Sequence, residues 1–84
     1  MGSVTTPSTP ELIRAAGLRV TAPRRAVLDV LRSSAGHPDV EEITAAVRLR
    51  IGRVSHQTVY DVLAAFEEAR SSALEALRAE GPDP

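Results

Sequence analysis

Hydrophobic residues recur at helical spacing in four stretches of the sequence, and each stretch follows a residue that favours a helix start. The first begins at Thr9-Pro10-Glu11, with a capping hydroxyl, a proline at the first helical position and an acid in the first turn, and it ends at Gly17. Thr21 caps the second helix, which Ser33 to Gly36 end. The inward residues predicted for these two helices are Leu12, Ile13, Ala16, Val27, Leu28 and Leu31.

The third and fourth helices have equally clear starts. Asp39 and Glu42 form a capping box, and Gly52 stops the third helix. Ser55 is predicted to cap the fourth. Their apolar positions recur every three or four residues, as one face of a helix requires: Val40, Ile43, Val47 and Ile51, then Val59, Val62, Leu63 and Phe66.

The fourth helix has no Gly or Pro to end it before Gly81. Either Ser71-Ser72 breaks it in two, or a single helix of ~25 residues extends roughly 37 Å. Its apolar positions continue past the length that a small core can cover, so this segment folds back over the body or meets another copy. The candidate oligomerisation residues are Phe66, Ala69, Ala73, Leu74 and Leu77.

No stretch reads as a strand, and the sequence predicts an all-α protein. We expect a disordered arm at residues 1–8, a helical domain at 9–69, a helical extension at 70–80 and a tail at 81–84. A chain of 84 residues makes one domain with a small core. It has no cysteine, no apolar run of membrane-spanning length and no basic segment followed by a hydrophobic one at the N-terminus, which predicts a soluble cytoplasmic protein.

Charge is unevenly placed along the chain, although the net charge is only −1. Residues 14–56 hold eight arginines against four acids, a balance of +4. Residues 57–84 hold two arginines against six acids, a balance of −4. A basic body with an acidic tail is compatible with phosphate binding, because local clustering matters more than the sum.

The fourth helix leaves a polar outer face at its start. Flat polar side chains there, after a short Gly-containing turn, are what the second helix of a helix-turn-helix offers a DNA major groove. An ordinary solvated face of a small helical bundle explains the same pattern, and spacing alone leaves both interpretations open. The residues concerned are His56, Gln57, Tyr60, Asp61 and Ala64.

Three blocks of sequence resemble the N-terminal DNA-binding domain of the ferric uptake regulator (Fur) family. They are Ala16-Gly17-Leu18-Arg19-Val20-Thr21-Ala22-Pro23-Arg24, His37-Pro38 with Ile43, and Ser55-His56-Gln57-Thr58-Val59-Tyr60-Asp61-Val62-Leu63. The resemblance covers about residues 11–68 and is closest to the FurA-type branch. It implies a four-helix, winged-helix-like helix-turn-helix domain that binds DNA.

The resemblance also implies roles for individual residues. Tyr60 is similar to the family's base-contacting tyrosine, whose ring can lie against a thymine methyl group. Gln57, one turn earlier, could pair with adenine, and Arg19 is similar to the basic residue that enters an A·T-rich minor groove. The resemblance implies phosphate contacts for Arg24, Ser55 and Thr58. His56 is a further DNA-binding candidate at the start of the same helix.

Each of these residues has a plain structural alternative. Arg19 and Arg24 are explained by solvation, Thr58 by helix capping, and Tyr60 by packing at a helix contact. The sequence does not choose between these alternatives.

His37 matches a family position that contributes a regulatory metal ligand. A metal site needs three or four donors, and the chain has two histidines and no cysteine, so we expect no metal and no cofactor. After Phe66 the sequence also departs from the family, which continues into a turn, a two-stranded wing and a dimerisation domain. We therefore expect the wing and the metal sensor to be absent.

The function predicted from the sequence is that of a DNA-binding transcriptional regulator. Its expected DNA partner is an A·T-rich palindrome in double-stranded DNA. Because two half-sites require two reading helices, we also expect a second subunit, either another copy of this chain or a related regulator. The alternative is a protein-interaction module that oligomerises through its C-terminal helix and modulates a full-length regulator. No catalytic constellation is visible, and we expect no enzyme activity.

Overall fold

The computed structural model describes residues 6–79, which form four α-helices. They are α1 (Thr9–Ala15), α2 (Ala22–Ser33), α3 (Val40–Ile51) and α4 (His56–Ala79). No residue in the range 6–79 is in a strand, so the prediction of an all-α protein is confirmed. The predicted tail, the stop at Gly81 and most of the predicted arm lie outside the described residues.

The first helix begins one residue earlier than its sequence signal indicated. Ser8, not Thr9, is the N-cap: its hydroxyl accepts from the Glu11 backbone N–H at 3.3 Å, and its own N–H donates to the Glu11 carboxylate at 3.0 Å. Glu11 is thereby held in a capping box. The bond from the Ser8 backbone N–H, together with the Ser8 hydroxyl, lowers the pKa of Glu11 from its ordinary value.

The predicted starts of α2 and α3 and the predicted end of α3 are confirmed. The Thr21 side chain caps α2 by accepting from the Arg24 backbone at 3.2 Å. Asp39 and Glu42 form the capping box that begins α3, with bonds of 2.8 and 2.9 Å. At Gly52, the C-cap of α3, φ is +87°, a backbone conformation that side-chain-bearing residues rarely adopt.

The core lies where α2, α3 and α4 meet. Val27, Val47 and Val59 are fully buried, one from each helix. Ala26 and Val30 are buried beside Val27, whereas the predicted inward residues Leu28 and Leu31 are half-buried, with Leu31 packed against the core. The prediction was wrong for Ile51 in α3, which is 39% exposed. The buried cluster consists of Ala26, Val27, Val30, Ile43, Val47, Val54, Val59 and Val62.

A polar network fastens α1 to α2. Thr9 is buried, and its hydroxyl donates to the Asp29 carboxylate. The Arg32 guanidinium donates to the Thr9 hydroxyl at 2.9 Å and to the Pro7 carbonyl at 2.8 Å. Thr9 therefore joins an acid and a base of α2, and its hydroxyl holds the start of α1 in place.

We predict that Thr9→Val destabilises the protein by about 1–3 kcal/mol, because the isosteric side chain leaves Asp29 and Arg32 without their shared partner. Urea or thermal unfolding followed by circular dichroism measures the loss. Thr6→Val is the matched control, since Thr6 is exposed, and its unfolding midpoint should equal that of the unsubstituted chain. Equal midpoints for both variants would show that the network contributes nothing.

Helix α4 runs through Ser71-Ser72 without a break, so the alternative of one continuous helix is the correct one. Its 24 residues extend about 36 Å, and every residue from 71 to 79 is exposed. Where the family resemblance would place a turn and a wing, residues 67–79 are helical. No described helix is long and apolar enough to cross a membrane.

Candidate nucleic-acid interface

A short link sets the angle between α3 and α4. Residues 52–55 connect the two helices, and Val54 in this link is buried in the core. The Nε of Arg48 donates to the Val54 carbonyl at 2.9 Å and so ties the link back to α3. The sequence analysis counted Arg48 only as a positive charge, because nothing in the spacing indicated this bond.

Helix α4 begins with two hydroxyls bonded to each other. The Ser55 hydroxyl accepts from the Thr58 backbone N–H at 3.0 Å, which confirms Ser55 as the cap, and donates to the Thr58 hydroxyl at 3.0 Å. The one hydrogen of the Ser55 hydroxyl is thus donated within the chain, whereas the Thr58 hydroxyl accepts that bond and donates none among the described residues. Of the two, Thr58 is the better placed to donate to a phosphate.

The outer face of α4 is open to solvent in its first two turns. Val59 is fully buried, whereas the next residue, Tyr60, is 55% exposed. Tyr60 therefore does not pack into the core of its own chain. His56, at the first position of α4, and Gln57 are also exposed.

Gln57 is held in one orientation by its neighbour one turn later. Its side-chain Nε2 donates to the Asp61 carboxylate at 2.8 Å. A glutamine amide carries two N–H donors and a carbonyl acceptor, so one N–H and the carbonyl are still available. That remaining pair is what bidentate recognition of adenine requires. The i, i+4 spacing of Gln57 and Asp61 was a signal for this contact that the sequence analysis did not use.

Two arginines lie beside this face. Arg24 donates to the backbone carbonyl of Arg19 at 2.9 Å, which fixes the extended link between α1 and α2. An open groove brings both arginines next to the start of α4, and it is lined by Arg19, Thr21, Pro23, Arg24, Thr58, Asp61 and Val62. The predicted phosphate-binding residues Arg24 and Thr58 thus share one surface with Arg19.

His37 is exposed in the connection between α2 and α3 and does not line the groove beside α4. Across residues 6–79, no group of three or more His, Cys, Asp or Glu side chains is arranged to hold a metal ion.

Comparison with known proteins identifies the relatives of this chain. Residues 15–81 match the model of the ferric uptake regulator family. The transcriptional regulator FurA of Mycobacterium tuberculosis is 48% identical over 63 residues, and ferric uptake regulation protein 1 of Mycolicibacterium fortuitum is 45% identical over 58. The ferric uptake regulation protein of Brucella abortus is 36% identical over 64 residues.

These matches cover most of this chain but only part of each relative. They span 75%, 69% and 76% of the chain, in that order, and 42%, 35% and 45% of the relatives. The chain thus corresponds to less than half the length of these relatives. No solved structure matches it at a significant level.

Proposed function

Because the chain belongs to the ferric uptake regulator family, we propose that it is a sequence-specific DNA-binding transcriptional regulator that reads DNA with the start of α4. The observation that carries this proposal is the exposure of Tyr60 beside an oriented Gln57, on the side of α4 opposite the buried Val59 and Val62. An aromatic ring and an amide on one open helical face suit the edges of base pairs in a major groove.

In the proposed complex α3, its link and α4 form a helix-turn-helix. Gln57 reads adenine with its carbonyl and its free N–H, while Asp61 holds the other N–H. Tyr60 lies against a thymine methyl group. Arg48 supports the readout indirectly, because its bond to Val54 fixes the direction in which α4 leaves the link.

The basic residues position the domain on the duplex. Arg24 and Thr58 donate to phosphates, and Arg19 extends from its link toward an A·T-rich minor groove. Only one N–H of Arg24 is used by the Arg19 carbonyl, so its other donors are available. Ser55 acts mainly as the cap that presents Thr58, and His56 adds a polar contact at the helix start.

The proposed DNA partner is an A·T-rich palindrome. Its two half-sites require two copies of α4, supplied by a homodimer or by a heterodimer with a related regulator. No metal or other cofactor takes part in this proposal.

We predict that Tyr60→Ala and Gln57→Ala each lower the affinity for the preferred site by about 1–3 kcal/mol, the usual effect of losing one base contact. The preferred site is first obtained by selection from random DNA. Fluorescence anisotropy then measures the affinity for it and for a scrambled duplex. Ser71→Ala is the control, since Ser71 is exposed on the same helix but far from the reading face.

Two results would contradict the proposal. The first is equal affinity of the unsubstituted chain for scrambled and selected DNA, which would show that the chain does not recognise sequence. Unchanged affinity in both α4 variants would move any readout to another surface.

A second candidate function is that of a protein-interaction module that pairs through α4 and modulates a related regulator. The exposure of Leu74 (44%) and Leu77 (67%) on this helix favours it. Binding of the purified chain to a full-length relative, without any DNA affinity of its own, is the result that would select this function over the first.

A further inference from the structure

Asp61 places a carboxylate on the surface that is proposed to face DNA. It is exposed, follows Tyr60 in the sequence and lines the groove beside α4 together with Arg19 and Arg24. Across residues 6–79 it forms no ion pair with an arginine, and the side-chain hydrogen bond that it accepts comes from Gln57 at 2.8 Å. Its charge is therefore not neutralised within the described chain, although two arginines line the same groove.

A negative charge at this position lowers the affinity for any DNA that is bound only through its phosphates. The phosphates and the Asp61 carboxylate repel each other, which opposes the attraction that Arg19 and Arg24 supply. The orientation of Gln57 does not require the charge, because an asparagine at position 61 would also offer an oxygen to the Gln57 N–H. The carboxylate is therefore better explained by a hydrogen-bond donor on the DNA itself.

Asp61 has free acceptors for such a donor. An ionised carboxylate has about four lone-pair sites on its two oxygens, and Gln57 uses one of them. In the major groove the donors are the N6 amino group of adenine and the N4 amino group of cytosine. Adenine N6 lies between two acceptors that repel a carboxylate, its own N7 and the O4 of the paired thymine. Cytosine N4 has an acceptor on one side only, so cytosine is the base that an acidic side chain favours.

The bond between Gln57 and Asp61 restricts where this cytosine can lie. Because the two side chains are in direct contact, the base groups that they bind lie within about one step of the duplex, roughly 3.4 Å. The base pair that Gln57 is proposed to read is A·T and contains no cytosine. The cytosine therefore belongs to a neighbouring base pair.

We propose that Asp61 is a specificity-determining residue that accepts a hydrogen bond from the N4 amino group of a cytosine next to the adenine read by Gln57. This assignment rests on the proposed function and adds one G·C pair to each otherwise A·T-rich half-site. On DNA without that cytosine, nothing offsets the repulsion between the carboxylate and the phosphates. Asp61 thereby weakens binding to unrelated sequences and supports binding to the correct one.

Asp61→Asn tests the assignment, because it removes the charge and keeps an acceptor for the Gln57 N–H. Binding sites are selected from random DNA with the unsubstituted chain and with each variant, and Gln57→Ala identifies the adenine position by losing the preference there. The unsubstituted chain should select a cytosine beside that adenine. Asp61→Asn should keep the adenine and select a second adenine in place of the cytosine, since an asparagine amide pairs with N6 and N7 of adenine.

Fluorescence anisotropy measures the corresponding affinities. Asp61→Asn should bind the site selected by the unsubstituted chain about fivefold or more weakly, because the bond to cytosine is lost. It should bind a scrambled duplex about twofold or more tightly, because the repulsion of phosphates is removed. Opposite changes on the two duplexes are not expected from a loss of folding, and circular dichroism verifies that the helix content is unchanged.

Glu75→Gln is the matched control, since it removes the same charge from another exposed acid of α4. Glu75 lies 14 residues beyond Asp61, about 21 Å along the helix. This distance is more than twice the Debye length of about 8 Å at physiological salt, so its charge is screened from the reading face. The selected bases and both affinities should equal those of the unsubstituted chain.

Three results would overturn the assignment. An unchanged cytosine preference in Asp61→Asn, or a selected site without a cytosine beside the adenine, would do so and leave the proposed function standing. Loss of the preference for the adenine in Asp61→Asn would show that Asp61 acts only by orienting Gln57. Failure of the unsubstituted chain to select any site would contradict the proposed function as well.

Discussion

Val47→Asp is expected to unfold the protein. Val47 is fully buried in α3, between the buried residues of α2 and α4. A carboxylate there must either stay charged without a partner or become protonated, and either outcome costs several kcal/mol. Domains of this size have little free energy of unfolding to lose. The helical signal at 222 nm should be lost at room temperature, and no cooperative thermal transition should remain.

The control for this prediction lies two residues away in the same helix. Leu49→Asp introduces the same charge and removes a larger apolar side chain, but Leu49 is 89% exposed. Its thermal midpoint should stay close to that of the unsubstituted chain. If both substitutions unfolded the protein, helix propensity or net charge would be responsible and burial would not.

The helix boundaries could be predicted because their causes are local. Thr21 with Pro23 and Asp39 with Glu42 act within a single turn, and Gly52 ends α3 through its own backbone conformation. Ser8 was missed as a cap because Thr9 carries the same functional group one residue later. Ser71-Ser72 did not break α4, since serine costs a helix far less than Gly or Pro does.

The side-chain contacts that join separate elements could not be predicted in the same way. The Thr9 hydroxyl bonds to residues 20 and 23 positions away, a pairing that exists only once α1 has packed on α2. The bond from Arg48 to the Val54 carbonyl depends on how the link after Gly52 folds. Sequence spacing does predict that Gln57 and Tyr60 share the outer side of α4, because that follows from helical geometry alone.

The family and the helical fold are confirmed, whereas the DNA-contacting role of the outer face of α4 is a proposal. The predicted resemblance to the ferric uptake regulator family is confirmed by the match of residues 15–81. The role of each α4 side chain stays a prediction, which the binding measurements on Tyr60→Ala and Gln57→Ala test. Arg24 and Arg25 of α2 carry the same charge in different surroundings. Comparing their substitutions therefore distinguishes a specific phosphate contact from a general effect of positive charge.

Arg24→Ala is expected to weaken DNA binding about tenfold and to reduce the slope of log affinity against log salt concentration by about one, since one phosphate contact is lost. Arg24 lines the groove beside Thr58 at the start of α4, and it also holds the Arg19 carbonyl at 2.9 Å. Its loss therefore removes a charge from the interface and frees the link that carries Arg19. Anisotropy titrations of the selected duplex at several salt concentrations measure both quantities.

Arg25→Ala removes the same charge from the next residue of α2. Arg25 lines a different groove, with Asp29, Arg50 and Ile51, on the side of α2 that faces α3. Its substitution should change affinity by no more than about twofold and leave the salt slope nearly unchanged, because a charge outside the contact region acts only through a screened field. Equal losses of affinity in Arg24→Ala and Arg25→Ala would mean that DNA binding depends on the total positive charge of residues 14–56. The larger loss at Arg24 is the result that assigns the phosphate contact to the groove beside α4.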